Sequence, residues 1–238
     1  MRRWPDGTHA ACARPRPQDA DVRRDLAAIA AHARRTLLFC AAALLPLLML
    51  WCDVYWLRDG VGERSLVELT QECFLAATVL AFARLARHAR DERAFAVLAA
   101  GLFACMLVRE LDAVFDVLLF HGAWVVPAGL LAVGCCLYAL RDWRGALSSL
   151  ARFVQSRQGA VLTLGLVVVV AYSRLFGVSA IWQGLLGDQY LRVFKNAAEE
   201  SIELLGYTCI AAAALSYVTV RLRASRRGAL PVPIKASL

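Results

Sequence analysis

Hydrophobic residues along the chain fall into six long runs, separated by short polar and charged stretches. A helix that crosses a bilayer needs about 20 mostly apolar residues, because the hydrocarbon core is about 30 Å thick and a helix rises about 1.5 Å per residue. The runs meet that requirement, so the pattern predicts six membrane-spanning helices. They cover approximately residues 36–56, 65–86, 94–120, 124–140, 159–178 and 197–220.

Basic residues outside these runs lie almost entirely on one side of the predicted bundle. Of the 27 Lys and Arg residues, 21 lie in the segments 1–35, 84–93, 141–157 and 221–235, which face the same side when the number of spans is even. Basic loops remain in the cytoplasm. The distribution therefore predicts that both termini are cytoplasmic, and we interpret these residues as orienting and anchoring the bundle and doing nothing further.

Composition supports the same class of protein. The chain is 60% hydrophobic and 19% charged, with a mean hydropathy of +0.54, which leaves too few polar residues to cover a soluble globule of 238 residues. Continuous apolar stretches such as 161–170 exclude a β-barrel, whose strands alternate. The sequence thus predicts an all-α, polytopic membrane protein, and its Arg- and Ala-rich usage points to the inner membrane of a bacterium.

Neither the net positive charge nor the cysteines indicate a catalytic or binding site. The net charge of +8 is accounted for by loops that face anionic lipid, so we expect membrane lipids and no nucleic acid as partners. Six of the eight cysteines lie within apolar runs, where they behave as small hydrophobic residues.

The predicted organisation is one membrane domain between two tails. Residues 1–35 form an Arg-rich, partly disordered cytoplasmic tail, residues 36–220 the six-helix domain and residues 221–238 a basic cytoplasmic tail. The loop 141–158 carries apolar residues at three- and four-residue spacing and is expected to lie flat on the cytoplasmic surface. The connection 179–196 is apolar enough to form a short helix in the outer interface.

Acidic residues gather on the opposite side from the basic loops. Twelve of the 19 lie in the outer half, which sums to −6, whereas the cytoplasmic half sums to +14. Asp53, Glu63 and Asp188 are interpreted as solvated surface acids. Many of the others fall inside spans, where a charge near the bilayer centre costs at least about 2.5 kcal/mol unless it faces a partner or water.

Helical spacing predicts which of these charges meet. Residues at i, i+3, i+4 and i+7 share one face of a helix, so the second, third and sixth spans each present a stripe of carboxylates at similar depth. Arg174 in the fifth span and His121 at the end of the third span are placed to join the rim. The predicted outward-facing pocket contains Glu68, Glu72, Arg109, Glu110, Asp112, Asp116, His121, Arg174, Glu199, Glu200 and Glu203.

Carboxylates are in surplus in this set, which favours either protonated acids or a bound cation. A divalent metal ion would use ligands from among Glu68, Glu72, Glu110, Asp112, Asp116, His121, Glu199, Glu200 and Glu203. For catalysis we single out Arg109, Asp112, Asp116 and Glu203. Arg109 and Arg174 carry planar guanidinium groups that suit a phosphate or carboxylate, so we assign them to anion binding, with a lipid-like substrate as the expected ligand.

Three functions remain open from the residues alone. The first is a metal-dependent or acid/base membrane enzyme that acts on a lipid-like or periplasmic substrate. The second is a cation- or proton-coupled transporter, which the apolar inner halves of the spans disfavour. The third is a non-catalytic membrane module whose buried ion pairs fix the helix packing. The usual phosphatase, transferase, desaturase, hydrolase and nucleotide-binding signatures are missing from the sequence.

Overall fold

The computed structural model of the protein describes residues 17–57 and 65–228, and regular structure in these residues is helical, with no strand. The all-helical class predicted from the sequence is therefore confirmed. The helices are α1 (Pro17–Cys52), α2 (Leu66–His88), α3 (Arg93–Glu110), α4 (Asp112–Leu118), α5 (Val125–Leu140), α6 (Trp143–Val154), α7 (Arg157–Val167), α8 (Ser173–Phe176), α9 (Ser179–Leu186) and α10 (Arg192–Gly228). A π-helical turn, Asp53–Leu57, extends α1, and a second one, Val168–Tyr172, joins α7 to α8.

Four helical segments in the described ranges are long and apolar enough to cross a membrane, and up to six if each of two bent pairs counts as one span. The four are Asp21–Trp56, Leu66–His88, Arg157–Phe176 and Arg192–Ser225. The bent pairs are α3 with α4, which turn by 58°, and α5 with α6, which turn by 103°. These helices are those of a membrane protein by length and composition, whereas the exact number of spans and their orientation remain predictions.

The chain divides into two compact units, Met1–Ala41 and Ala42–Leu238. The described part of the first unit is a single stretch of helix that begins at Pro17. All the remaining helices, and the end of α1, belong to the second unit.

The start of α2 is capped by side chains from two places in the chain. Ser65 accepts a hydrogen bond from the backbone N–H of Glu68 at 3.2 Å. The carboxylate of Asp53 accepts from the backbone N–H of Leu66 at 2.8 Å and from that of Val67 at 3.2 Å. A carboxylate satisfies otherwise unpaired donors at a helix N-terminus and interacts favourably with the helix dipole. Asp53 is fully buried, so its interpretation as a solvated acid is wrong.

The long helices of the second unit pack in a row. Helix α10 lies against both α2 and α7, α2 packs on α3, and α3 packs on α5. Helix α6 turns away from α5 and packs against α3 and α7, burying Ala146 and Phe153 and exposing Trp143 and Leu147. The exposed apolar residues Trp143 and Leu147 belong to the three- and four-residue pattern from which an amphipathic helix is predicted, and the position of α6 relative to a bilayer remains a prediction.

Aromatic rings fill the core between α2, α3, α6 and α10. Phe82 stacks on Phe103 with ring centroids 6.0 Å apart, and Phe153 meets Tyr217 edge to face at 4.9 Å. Phe95 lies between these pairs and contacts both Phe82 and Phe153. Offset and edge-to-face rings of this kind add to the stability gained from burial alone.

Helices α7 and α10 cross closely because each contributes a glycine at the contact. A Cβ atom built on Gly165 would lie 2.8 Å from the backbone oxygen of Gly206, and one built on Gly206 would lie 2.5 Å from a methyl carbon of Val169. Neither distance is compatible with a side chain, so the crossing depends on glycine. This contact holds the start of α8 against α10, where polar side chains of both helices meet.

Candidate functional site: a glutamate cluster between α2, α3, α8 and α10

Polar side chains from four helices meet in the part of the bundle where α2 begins and α3 ends. We call this group the glutamate cluster. Hydrogen bonds and ion pairs connect its members, except that Glu72 is included because it is half-buried close to Glu110. Five of the members are glutamates. The members are Gln71, Glu72, Arg109, Glu110, Ser173, Arg174, Lys195, Glu199, Glu200, Glu203 and Tyr207.

Glu203 of α10 is the most enclosed glutamate in the cluster, with 5% of its side chain exposed. Its Oε1 atom accepts a hydrogen bond from the hydroxyl of Ser173 at 3.1 Å and forms an ion pair with the guanidinium of Arg174. Both partners come from α8, which the π-helical turn and the glycine crossing hold against α10. Both partners contact the same oxygen of the buried carboxylate, and the hydroxyl of Ser173 also donates to the backbone oxygen of Val169 at 2.6 Å.

Glu199, one turn before Glu203 on α10, is shared between two cations. Its Oε1 atom lies 3.2 Å from the guanidinium of Arg174, and its Oε2 atom lies 3.2 Å from the ammonium group of Lys195. Lys195 also donates to the backbone oxygen of Gly177 at 3.4 Å. Arg174 thus bridges two glutamates of the same helix face.

Glu110 is the last residue of α3 and connects that helix to α10. Its Oε1 atom accepts a hydrogen bond from the hydroxyl of Tyr207 at 2.7 Å and pairs with the guanidinium of Arg109 at 2.7 Å. Tyr207 is almost fully buried, so its hydroxyl depends on this acceptor. Glu110 also lies close enough to Glu72, Glu200 and Glu203 for their charges to interact.

Glu200 is held from the other side by α2. The side-chain amide of Gln71 donates to Oε2 of Glu200 at 3.0 Å and to its backbone oxygen at 3.1 Å. Glu72 follows Gln71 on α2 and is half-buried near Glu110. Three long helices, α2, α3 and α10, therefore each contribute at least one carboxylate to this region.

The guanidinium groups of the cluster lie nearer the surface than its carboxylates. The side chains of Arg109 and Arg174 are 46% and 47% exposed, whereas those of their glutamate partners are between 5% and 14% exposed. The cluster thus presents two arginines outward and keeps its acids beneath them.

Two residues of the predicted set, Asp116 and His121, pair with each other. Asp112 is exposed beside Arg109, and Glu68 is half-buried in the first turn of α2. His121 is exposed and lies with its Nδ1 atom 2.6 Å from Oδ2 of Asp116. Although helical spacing would separate these two residues, α4 ends at Leu118 and the chain turns back through Gly122 at a φ of +82°.

The sequence did not predict the three uncharged members of the cluster, Gln71, Ser173 and Tyr207. Glutamine, serine and tyrosine in an apolar run are usually donors or acceptors for backbone groups, and nothing in the sequence shows that these three point at glutamates. The stripe of Lys195, Glu199, Glu203 and Tyr207 along α10 is the one signal that indicated where Tyr207 would lie.

The metal hypothesis receives no geometric support from this arrangement. Within residues 17–57 and 65–228, no group of three or more His, Cys, Asp or Glu side chains is placed to hold a metal ion. The oxygens of Glu110, Glu199 and Glu203 face arginine, lysine, tyrosine or serine donors instead. Binding of a divalent ion therefore stays a prediction for metal analysis.

Another buried carboxylate lies near the other end of α10, and the sequence did not predict its burial either. Glu92, in the turn before α3, is fully buried and forms an ion pair with Arg221. Arg152 of α6 approaches it at 3.9 Å, and the hydroxyl of Tyr217 donates to it at 3.3 Å. Arg152 and Arg221 thus tie α6 and α10 to the α2–α3 turn, so the view that the basic segments only orient and anchor the bundle is wrong for these two residues.

Two cavities of about 620 and 610 Å³ lie away from the glutamate cluster. The first is lined almost entirely by apolar residues of α3, α5, α6 and α7, including Phe95, Trp143 and Leu162. The second lies between α2, α3 and α5 and includes Arg87, Arg93 and Tyr138. Both are closer to the Glu92 end of the helices than to the glutamates.

Comparison with protein-family models, with curated proteins and with solved structures finds no match for this chain. The fold and the glutamate cluster are therefore the basis on which a function is proposed.

Proposed function

We propose that the protein is a bacterial inner-membrane protein with six spans and two cytoplasmic termini, whose glutamate cluster opens outward and acts as an acid/base and anion-binding site. The substrate class is a lipid-like or periplasmic molecule with a phosphate or carboxylate group. The observation that carries the proposal is the arrangement of Glu203, a buried carboxylate held between Ser173 and the half-exposed Arg174.

The outward arginines support anion binding. Arg109 pairs with Glu110 and Arg174 with both Glu199 and Glu203, and both arginines still expose nearly half of their side chains. A guanidinium has five donors in a fixed plane, so Arg109, which uses one of them on a carboxylate, retains more donors for an added oxyanion than Arg174, which uses two. A lipid that diffuses sideways between the spans would reach these donors without leaving the membrane.

Charge balance supports proton chemistry. Among the described residues the cluster contains five glutamates but three cations, Arg109, Arg174 and Lys195, so full ionisation leaves a charge of −2. A surplus of this kind inside an apolar bundle must be offset by protons or by a bound cation. Protons that can be exchanged at a glutamate beside an anion site are what general acid/base catalysis uses.

Transport is the weaker alternative. A transported ion or molecule needs polar groups that continue through the bundle to the other side. Beyond Tyr207, α10 buries Ile210, Ala213 and Ala214, and the neighbouring core consists of aromatic rings. This apolar layer favours a site that is reached from one side.

A structural role is the second candidate, and one specific observation favours it. Arg174 to Glu203, Tyr207 to Glu110 and Gln71 to Glu200 each join two different helices. A network of this kind would fix helix packing without any substrate. The experiment must therefore separate a site that exchanges protons and binds anions from one that only holds helices together.

Infrared spectroscopy of the purified full-length protein in nanodiscs of zwitterionic lipid makes that separation. We expect a carboxylic-acid C=O band that titrates reversibly with pH and that is diminished in Glu203→Gln. Asp116→Asn is the matched control, because Asp116 is a carboxylate outside the cluster. A short-chain phosphatidate should shift the band in the wild type and leave it unchanged in Arg174→Gln.

The outcomes distinguish the candidates. If no carboxylic-acid band titrates, or if the band that titrates is unchanged in Glu203→Gln, the acid/base proposal is wrong. The structural role would then be the remaining explanation of the cluster. Metal analysis of the same samples checks the remaining hypothesis: a stoichiometric divalent ion that is lost in Glu203→Gln would replace the acid/base site with a metal site.

A further inference from the structure

The groove between α2, α3 and α5 combines an apolar wall with a cationic end. Its cavity has a volume of about 610 Å³. Small side chains of α3, among them Ala100, Gly101 and Ala104, form its floor, and Val79 and Leu131 form part of its walls. Arg87, Arg93 and Tyr138 line the same cavity and are the groups in it that bear charge or a hydroxyl.

The polar groups of the groove lie at one end of it. Arg87 is in the last turn of α2, Arg93 is the first residue of α3, and Tyr138 is in the last turn of α5. From Arg93 to Ala104 the helix rises about 16 Å at about 1.5 Å per residue. That length is close to one leaflet, which is about half of the roughly 30 Å hydrocarbon core.

The arginines of the groove retain donors for a ligand. Arg93 uses its Nε atom to donate to the backbone oxygen of Ala86 at 3.0 Å, which leaves the terminal nitrogens of the guanidinium available. Arg87 is exposed, and in the described ranges neither arginine forms an ion pair. The residues that line the groove include no acid.

We infer that this groove binds an anionic phospholipid, with its phosphate between Arg87, Arg93 and Tyr138 and an acyl chain along the floor formed by α3. Two guanidiniums and a hydroxyl suit a phosphodiester, and an apolar slot one leaflet deep suits the chain attached to it. The site is separate from the glutamate cluster. With the orientation proposed above, the groove lies in the cytoplasmic leaflet, and only this assignment to a leaflet rests on the proposed function.

Binding can be measured on the full-length protein in a neutral detergent. The probes are phosphatidylglycerol and phosphatidylcholine with identical acyl chains, together with glycerol phosphate as the head group alone. Native mass spectrometry counts the bound lipids, and thermal unfolding reports the stabilisation that binding gives. We expect phosphatidylglycerol to bind at one saturable site and to raise the unfolding midpoint more than the other two probes.

Two variants and a control locate the site. Arg87→Gln should weaken phosphatidylglycerol binding about fivefold, as expected from the loss of one arginine near an anionic lipid. Ala83→Phe, which narrows the groove from α2 without removing a charge, should weaken it as well. Arg90→Gln removes an exposed arginine that does not line the groove and should leave binding unchanged.

Several results would overturn the inference. Equal binding of the two lipids would show that charge is not recognised, and equal stabilisation by glycerol phosphate would show a site for a free anion. Equal loss in Arg87→Gln and Arg90→Gln would show general attraction by the basic surface. If Arg87→Gln lowers the unfolding midpoint even without lipid, weaker binding in that variant could reflect a damaged fold. Ala83→Phe then tests the site, because unchanged phosphatidylglycerol binding in that variant would place the lipid outside the groove.

Discussion

The hydroxyl of Tyr207 donates a hydrogen bond to Glu110, although the two residues lie on different helices and 97 positions apart in the chain. Tyr207 is almost fully buried, so its hydroxyl and the glutamate satisfy one another away from water. The bond links the end of α3 to the middle of α10 and gives the glutamate cluster one of its longest-range connections.

We expect Tyr207→Phe to lower the free energy of unfolding by about 1–2 kcal/mol, because it removes a buried hydrogen bond to a charged group and leaves Glu110 with one donor fewer. The measurement is thermal or denaturant unfolding of the purified protein in detergent. Tyr172→Phe is the matched control, since Tyr172 is half exposed and should tolerate the change. Equal effects of the two substitutions would mean that the hydroxyl of Tyr207 contributes nothing specific.

The sequence predicts the convergence of carboxylates but not the identity of all their partners. Periodicity places Glu199, Glu203 and Tyr207 on one face of α10, and the cost of burying charge turns that face inward. It does not fix how neighbouring helices are rotated, and rotation is what brings Gln71 and Ser173 to the glutamates.

The contacts that the sequence did not predict have a common physical origin. Asp53 and His121 each owe their contacts to short connections whose geometry is set by turns rather than by helical periodicity. Likewise, Glu92 looks like an ordinary loop acid next to Asp91, and its burial follows from the way α6 folds back across the end of the bundle.

Glu92→Gln should destabilise the protein by about 2 kcal/mol. The substitution keeps the shape of the side chain but removes the charge that Arg221 and Arg152 face. Breaking a fully buried ion pair usually costs more, but here both arginines are partly exposed to solvent, which weakens the pair. Asp91→Asn is the control, because Asp91 approaches the same arginine, Arg221, at 3.8 Å but its side chain is 70% exposed, so that pair should contribute little. Similar unfolding midpoints for both variants would contradict a specific role of Glu92.

Gly206→Ala tests the close crossing of α7 and α10. An added methyl group would meet Val169 and the backbone of Gly165, so the helices must separate, and we expect a loss of about 1–3 kcal/mol in stability. Gly184→Ala in α9 has open space around it and should be neutral or slightly stabilising, because alanine favours helix. A stabilised Gly206→Ala protein would show that the crossing is looser than described.

The end of α1 and the start of α2 are tied by Asp53, and Asp53→Ala should lower the stability by about 1–2 kcal/mol by leaving two backbone donors of α2 without their acceptor. Asp188→Ala is a suitable comparison, because Asp188 is an exposed acid in a loop. Unfolding measurements on both proteins check the prediction, and equal stability of the two variants would contradict the capping role.

The proposed orientation predicts which positions can be labelled from outside the cell. In a background without cysteine, His121→Cys should react with a membrane-impermeant maleimide on intact spheroplasts, because His121 lies in the predicted outer loop and is exposed. Ser148→Cys, on the exposed surface of α6, should react only after lysis. The reverse pattern would invert the orientation, and labelling of both positions in intact cells would contradict the six-span arrangement.

The aromatic layer between the two buried acid clusters also bears on how the protein would experience a membrane potential. Tyr207 and Tyr217 mark the two clusters and are ten residues apart on α10, which corresponds to about 15 Å along the helix. An undisturbed hydrocarbon core is about twice as thick. If the helices span a bilayer as proposed, a charge that moved along α10 from one of these tyrosines to the other would cross about half of the hydrocarbon core, and with it about half of the membrane potential.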